Sequence, residues 1–138
     1  MFALSILQRR AAVALVLLAT AVPATVAVSA GPASAALPTC TTFTEDQGAW
    51  LPSARNNNIE CKLRSGNRGD GVKQLQRTLV DCYKSSIATD GIFGVRTEAA
   101  LKKAQSTAGT TADGIYGPKT RRAINHPFAG DSPCGRVS

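Results

Sequence analysis

The chain has few of the residues from which hydrolytic and metal sites are commonly built. Among its 138 residues there is one histidine, His126, and none of the four cysteines stands in a Cys-x-x-Cys pair. Zinc sites take several histidine, cysteine or carboxylate ligands at short spacings. The nucleophilic serine of a large hydrolase class stands in a Gly-x-Ser-x-Gly turn, which this sequence lacks. We therefore predict a protein that is not an enzyme, with no metal and no cofactor.

Acidic residues are scarce as well. The chain has 16 Lys and Arg against 9 Asp and Glu, a net charge of +7, and residues 36–138 alone have 14 against 9, a net charge of +5. In the cytosol such an excess favours nucleic-acid binding, whereas outside a cell it favours anionic polymers such as those of a bacterial wall. The same charges also fit a solvated helix surface, so they identify no ligand by themselves.

Residues 1–35 have the pattern of a secretory signal peptide. Arg9 and Arg10 precede an apolar run over residues 11–22, and residues 33–35, Ala-Ser-Ala, form a small-residue cleavage site. The run is too short to span a bilayer comfortably, and no later segment is long and apolar enough to do so. A retained membrane anchor is the alternative. We expect a secreted protein, extracellular or cell-wall associated, with no membrane contact after cleavage and no nucleic-acid partner.

The four cysteines, Cys40, Cys61, Cys82 and Cys134, all follow this segment. An even number in a small exported domain indicates disulfides, and four cysteines allow three pairings. We prefer Cys40–Cys61 with Cys82–Cys134, because each bond then ties a terminal segment back to the domain. Each bond is expected to stabilise the small core by roughly 2–4 kcal/mol.

One motif occurs twice, at residues 89–101 and again 23 residues later at 112–124. Each copy begins with an Asp-Gly pair, which is typical of turns, followed by Ile and an aromatic residue that we expect to face inward. A second glycine then precedes a helix, and Pro118 suits the first helical position of the second copy. A β-hairpin at each Asp-Gly pair is the alternative.

The apolar spacing predicts three helices and no sheet. The fold class is therefore all-α: a small three-helix bundle with two Asp-Gly loops, preceded by an irregular strap tied by a disulfide. We place the strap at 36–62, the three-helix domain at 63–126 and a disulfide-tied tail at 127–138. The predicted helices run over 70–83, 95–108 and 118–125.

The sequence resembles the peptidoglycan-binding domain family found in many bacterial cell-wall hydrolases. The family pattern ahead of the two Asp-Gly motifs is met by Leu63, Gly66, Gly69, Val72, Leu75, Gln76 and Leu79. The resemblance covers about residues 62–126 and departs at Ala104, where the family usually has a bulky aromatic residue. It implies a three-helix fold that recognises peptidoglycan, through its peptide stem in our interpretation.

Candidate ligand contacts follow from the two copies of the motif. Arg96 and Lys119 occupy equivalent positions at helix starts, where a cation opposes the helix dipole but, together with free N–H groups, can receive an anion. Tyr116 is expected to bury its ring and present its hydroxyl. The full candidate set is Tyr116, Lys119, Arg96, Thr120, Asp113 and Gly117. The alternative is that Asp90 and Asp113 only form turns and that both cations only face water.

Trp50, the one tryptophan, has two interpretations. It stacks on a sugar, or it packs on the bundle and fills the gap that the small Ala104 leaves; we favour packing.

For the whole chain we predict a monomeric, secreted, non-catalytic module that binds peptidoglycan or another anionic wall polymer. The alternative is a protein-interaction module or inhibitor acting on a secreted hydrolase. A third reading is a wall hydrolase that uses an unmarked pair of carboxylates.

Overall fold

The computed structural model describes residues 36–138, so the predicted signal peptide lies outside the described residues. Two strands and three helices follow one another along the chain. They are β1 (Thr42–Asp46), β2 (Ala49–Ser53), α1 (Asp70–Tyr83), α2 (Val95–Thr107) and α3 (Pro118–Ala123), with a short 3-10 turn at Arg55–Asn57. In this part of the chain no helix is long and apolar enough to cross a membrane.

The prediction of an all-α fold is wrong, because the strap over residues 36–62 contains an antiparallel hairpin. In the ladder Thr42 lies opposite Ser53, and Asp46 lies opposite Ala49. The turn residues Gln47 and Gly48 both have positive φ, 52° and 78°. This geometry matches the right-handed twist of paired strands. Burial alternates along β1, which is typical of a strand with one solvent face.

The helical part also differs from a three-helix bundle. α1 has the predicted bounds and 14 residues, and α2 has 13. α3 has only six residues, less than two turns, instead of reaching Asn125. It ends because Ile124 is extended, after which His126 pairs with Gly135 of the tail.

The main core lies between α1, α2 and the segments that connect the helices. Its largest side chains are Leu63, Leu75, Leu79, Phe93, Leu101 and Tyr116, all of them buried. A smaller cluster under the hairpin contains Leu51 and Val137. The aromatic residues of both motif copies face inward as expected. Ile92 and Ile115 do not, since they are 42% and 41% exposed.

Both disulfides are present with the preferred pairing. Cys40 and Cys61, both fully buried, belong to the main core and tie the two ends of the hairpin segment together. The bond between Cys82 and Cys134 joins the end of α1 to the tail. The tail is thus fixed to the helical part by a covalent bond, whereas the bond between Cys40 and Cys61 closes the strap on itself.

Trp50 does not fill the gap at Ala104, so that hypothesis is wrong. The tryptophan is half-buried on β2, and its ring meets the ring of Phe43 edge-on with 5.8 Å between centroids. It is absent from the described residues that pack around Ala104. It does help to hold the tail, because its backbone N–H donates to the carbonyl of Pro127 at 2.9 Å.

His126 is a buried group with an incomplete set of hydrogen bonds. Its Nε2 lies 2.9 Å from the carbonyl oxygen of Arg121, which can only accept, so Nε2 carries the proton. Its Nδ1 has no partner among the described residues. Burial lowers the pKa of His126 from 6.5 to about 4, since the charged imidazolium would lose its hydration.

The buried imidazole predicts that the domain loses stability in mild acid. Because the folded-state pKa lies below the unfolded value, the stabilisation is complete above pH 6.5 and is lost as pH falls towards 4. The loss is expected to reach about 2–3 kcal/mol. Urea unfolding from pH 7 to pH 4 measures it, and His126→Gln should flatten the slope. Equal slopes in both proteins contradict the prediction.

Gly71 predicts an unusual response to alanine. Replacing glycine by alanine inside a helix ordinarily stabilises it. Here a Cβ at position 71 would collide with the carbonyl group of Cys40 and lie 3.0 Å from the carbonyl oxygen of Thr42. We expect Gly71→Ala to lower the free energy of unfolding by roughly 1–3 kcal/mol. Lys73→Ala, at an exposed position of α1, is the control and should change it little.

Candidate functional site

The first Asp-Gly loop, residues 89–94, is organised by the side chain of Gln76. Its amide oxygen accepts from the N–H of Gly91 at 2.8 Å. Its amide nitrogen lies 3.0–3.1 Å from three oxygens, those of Asp90 Oδ1, the Ile92 carbonyl and Thr97 Oγ1. An amide has two hydrogens, so these three contacts share them. One buried side chain of α1 thereby satisfies both donors and acceptors of the loop.

The second Asp-Gly loop, residues 112–117, has the same arrangement around Gln105 of α2. The Gln105 oxygen accepts from the N–H of Gly114 at 2.9 Å. The nitrogen lies 2.8–3.0 Å from Asp113 Oδ1, the Ile115 carbonyl and Thr120 Oγ1. Each loop contact of the first network thus has a counterpart in the second.

The two aspartates act as turn residues in both loops. Asp90 Oδ1 also accepts from the N–H of Ile92, and Asp113 Oδ1 accepts from the N–H of Ile115, each at 2.9 Å. The hydrogen bond from Ile92 and then that from Gln76 hold the pKa of Asp90 below its ordinary value. The bonds at Asp90 favour its carboxylate form, and in both aspartates they use Oδ1 alone.

The segment 63–69 ties the two loops to each other. Leu63 exchanges backbone hydrogen bonds of 2.8 and 2.9 Å with Tyr116 of the second loop. Further along, the N–H of Gly66 donates to Phe93, and the N–H of Gly69 donates to Gly91, both at 2.9 Å. The loops therefore belong to one hydrogen-bonded frame whose outward residues are fixed in position.

Outside the first network lies a groove of about 310 Å³, which we call the first-loop groove. Its apolar part includes Ile92 and Val95, and Val95, at 80% exposed, is one of the most open apolar side chains among residues 36–138. Arg96 lies on its rim. The remaining lining residues are Gln76, Ile87, Ala88, Asp90, Gly94 and Thr97.

Arg96 also lines a second, basic groove of about 440 Å³ beside the first. Lys84 and Lys103 lie there, together with Ser85 and Ser86. Three cations thus surround a surface that carries two serine hydroxyls, and Asp90 is the one acidic side chain in the two grooves. The pair of grooves suits a ligand that combines an anionic group with small apolar parts.

The second loop has a smaller depression of about 190 Å³, with Asp113, Ile115, Gly117 and Lys119 in its lining. Lys119 is exposed, and Gly117 precedes α3. Lys119 and Arg96 line different depressions, so the structure does not bring the two predicted cations together.

Two predicted ligand contacts lie inside the domain. Tyr116 is fully buried, with its ring edge-on to His126 at 6.2 Å, so its hydroxyl is not presented to a ligand. Burial raises the pKa of Tyr116 above its usual value, which keeps the hydroxyl protonated. Thr120 is 5% exposed, and its hydroxyl belongs to the Gln105 network. Both residues therefore serve the fold.

Sequence reasoning missed the exposed apolar residues, Ile92, Val95 and Ile115. The signal was present: successive side chains of an extended segment point to opposite sides, so a buried Phe93 implies an outward Ile92.

Among residues 36–138, no group of three or more His, Cys, Asp or Glu side chains is placed to hold a metal ion.

Comparison with known proteins gives the site a context. Residues 68–124, which contain all three helices and both Asp-Gly loops, match the family model described as "Putative peptidoglycan binding domain". A "Probable N-acetylmuramoyl-L-alanine amidase" of Bacillus licheniformis is 42% identical over 65 residues, 46% of this chain and 18% of the amidase. The "Zinc D-Ala-D-Ala carboxypeptidase" of Streptomyces albus G is 41% identical over 64 residues, 45% of this chain and 25% of that enzyme.

A solved structure, the Burkholderia AP3 phage endolysin, is 44% identical over 43% of this chain and 22% of its own, with a TM-score of 0.41. The chain thus spans a quarter or less of the length of these three proteins.

The Gln76 network predicts a large stability loss when the amide is removed. Gln76→Met keeps the length of the side chain but leaves the buried N–H of Gly91 and the carbonyl of Ile92 without this partner. We expect the free energy of unfolding to fall by about 2–4 kcal/mol, measured by urea unfolding. The control is Gln74→Met on the same helix, which loses one hydrogen bond to the Trp50 carbonyl. Its loss should be about 1 kcal/mol. Equal losses would mean that the network adds nothing.

Proposed function

We propose that this protein is a secreted, non-catalytic module that binds bacterial peptidoglycan through the first-loop groove and the adjoining basic groove. The observation that carries the proposal is the family match over residues 68–124, because that stretch includes both glutamine networks. A site must be built on a rigid support to bind with precision, and the two buried amides supply one.

The relatives support a binding role for the shared part. An amidase and a carboxypeptidase perform different reactions, yet each is similar to this chain over only 64 or 65 residues. A short segment common to enzymes that cleave different bonds is better explained by a common polymer than by a common active site. In this chain the one imidazole, that of His126, is buried with Nε2 bound to a carbonyl, so it cannot act as a surface base.

Charge and shape indicate the part of peptidoglycan that fits. Its peptide stems carry carboxylates and small apolar side chains. Arg96 lies on both grooves and can pair with a carboxylate, whereas Ile92 and Val95 offer apolar contact on one side of it. The guanidinium can hold a carboxylate with two parallel hydrogen bonds, which gives direction as well as affinity. We therefore assign the stem peptide to the Arg96 side of the domain.

Lys119, Asp113 and Gly117 form the corresponding surface at the second loop. Its depression is about 190 Å³ against 310 Å³ at the first. We assign it a lesser share of the binding energy, since a smaller site removes less of a ligand from water.

Charge reversal at Arg96 tests the proposal. In co-sedimentation with purified peptidoglycan stripped of teichoic acid, Arg96→Glu should raise the dissociation constant roughly tenfold, the value of one charged hydrogen-bonded contact. Lys119→Glu should raise it less. The control is Arg55→Glu, which makes the same change in net charge at an exposed residue that lines neither groove.

Three outcomes contradict the proposal in different ways. Equal losses at Arg96 and Arg55, both abolished by salt, mean that net charge is the whole effect. Binding that is unchanged in Arg96→Glu places the site elsewhere. If the unaltered protein does not bind the wall, the proposed function is wrong, and a protein partner such as a secreted hydrolase is favoured.

A further inference from the structure

A third groove, of about 480 Å³, lies on the hairpin side of the domain and has no part in the two glutamine networks. We call it the aromatic groove. It lies between the hairpin, α1 and the tail, and its lining includes Phe43, Trp50, Gln74, Arg77, Asp81 and Phe128. All three aromatic residues lie outside the stretch 68–124 that matches the family. The groove is therefore formed largely by the hairpin and the tail, which lie outside the matched residues.

The aromatic wall is held in place by the sheet and the tail. Phe43 and Trp50 are diagonal neighbours across the strands, and their rings meet edge-on at 71°. Phe43 is 39% exposed and Trp50 is half-buried, so ring surface remains open to solvent. The ring of Phe128 lies so close to Gly135 that an added Cβ would be 2.9 Å from it. These contacts fix the rings before any ligand arrives.

The opposite wall carries three polar side chains, and the described part of the chain leaves two of them, Arg77 and Asp81, without a partner. Gln74, Arg77 and Asp81 stand three and four residues apart on α1, and therefore on one face. Arg77 and Asp81 have the spacing of a helical ion pair, yet within residues 36–138 neither side chain forms an ion pair or a hydrogen bond. The ammonium group of Lys84 donates to the backbone carbonyl of Asp81, not to its carboxylate. One offers hydrogen-bond donors and the other acceptors, both directed to an aromatic cleft.

We propose that the aromatic groove binds the glycan strand of peptidoglycan, with an N-acetylated sugar ring against Phe43 and Trp50 and its polar rim on Arg77 and Asp81. A pyranose ring has an apolar C–H face and a rim of hydroxyl and acetamido groups, so it needs an aromatic surface beside both donors and acceptors. This inference rests on the proposed function and deepens it, since it adds a second, sugar-specific contact to the peptide contact at Arg96.

Other occupants fit the groove less well. A polyanion such as a teichoic acid would meet the carboxylate of Asp81 as well as the guanidinium of Arg77. A purely apolar peptide would leave both charged groups desolvated without partners, which is costly. A neutral sugar with both donors and acceptors satisfies both.

Trp50 provides a direct readout, because it is the one tryptophan of the chain. The purified protein is titrated with a neutral N-acetylglucosamine hexasaccharide, which has neither stem peptide nor carboxylate. We expect a saturable change in tryptophan fluorescence. Maltohexaose, which lacks acetamido groups, should give at least a tenfold weaker response. A saturable response of equal affinity to both sugars overturns the sugar assignment, and absence of any response overturns the proposal.

Variants separate a specific groove from general stacking. Phe43→Ala and Arg77→Gln are expected to weaken hexasaccharide binding at least fivefold, with unfolding midpoints close to that of the unaltered protein. Arg64→Gln is the matched control, because Arg64 is exposed and lies outside the groove. Unchanged binding in both groove variants overturns the proposal. If either variant fails to fold, Asp81→Asn at an exposed helical position provides the same test.

The two proposals fail in distinguishable ways. Arg96→Glu should leave the fluorescence titration unchanged, because Arg96 does not line the aromatic groove. If the unaltered protein binds the wall and loses binding with Arg96→Glu, but Trp50 does not respond to the hexasaccharide, only the glycan inference is wrong. If the hexasaccharide binds but whole peptidoglycan does not, the groove binds N-acetylated sugars, and both the wall-binding function and the assignment of the peptidoglycan strand to this groove are wrong.

Discussion

The domain depends on two buried side-chain amides that form hydrogen bonds with the inward-pointing backbone groups of two tight loops. An Asp-Gly turn followed by an extended residue leaves N–H and carbonyl groups that point inward, where neither a helix nor a sheet pairs them. An unpaired buried group costs about 1–3 kcal/mol, so such a loop needs a partner with both a donor and an acceptor. Gln76 and Gln105 each supply both from one side chain. Because each amide also reaches a threonine in the following helix, the loop and the helix start are fixed together.

This constraint decides which residues remain for binding. Once the loop backbone is tied inward, the side chains of its extended part alternate, so Phe93 and Tyr116 enter the core and Ile92 and Ile115 turn out. Each aspartate uses one carboxylate oxygen to accept a hydrogen bond within its own turn. On the proposed function, binding is thereby left to the apolar residues and to the cations that follow, above all Arg96, which lines both grooves.

Local signals in the sequence were enough to predict part of this structure. Helix spacing and turn residues gave the bounds of α1 and the existence of both loops, and the position of the cysteines favoured the pairing that the structure has. The hairpin was not predicted, because β1 reads Thr-Phe-Thr-Glu-Asp and has little apolar alternation. Its pairing depends on distant partners in α1 and the tail. The burial of the Tyr116 hydroxyl was missed for the same reason, since the position of the ring is set by Leu63 and His126.

α1 is the element that both proposed contacts share. Gln76 points to the first loop, whereas Gln74, two residues earlier and so about 200° around the helix, holds the Trp50 carbonyl on the hairpin side. The disulfide at Cys82 anchors the same helix to the tail, which supplies Phe128 to the aromatic groove. A repetitive polymer offers peptide and sugar in fixed register. On both proposals, contacts on two sides of one rigid helix therefore act as a single stronger one, because the first raises the effective concentration of the second. On the proposed function, this is how a domain of about a hundred residues can hold a wall polymer without chemistry of its own.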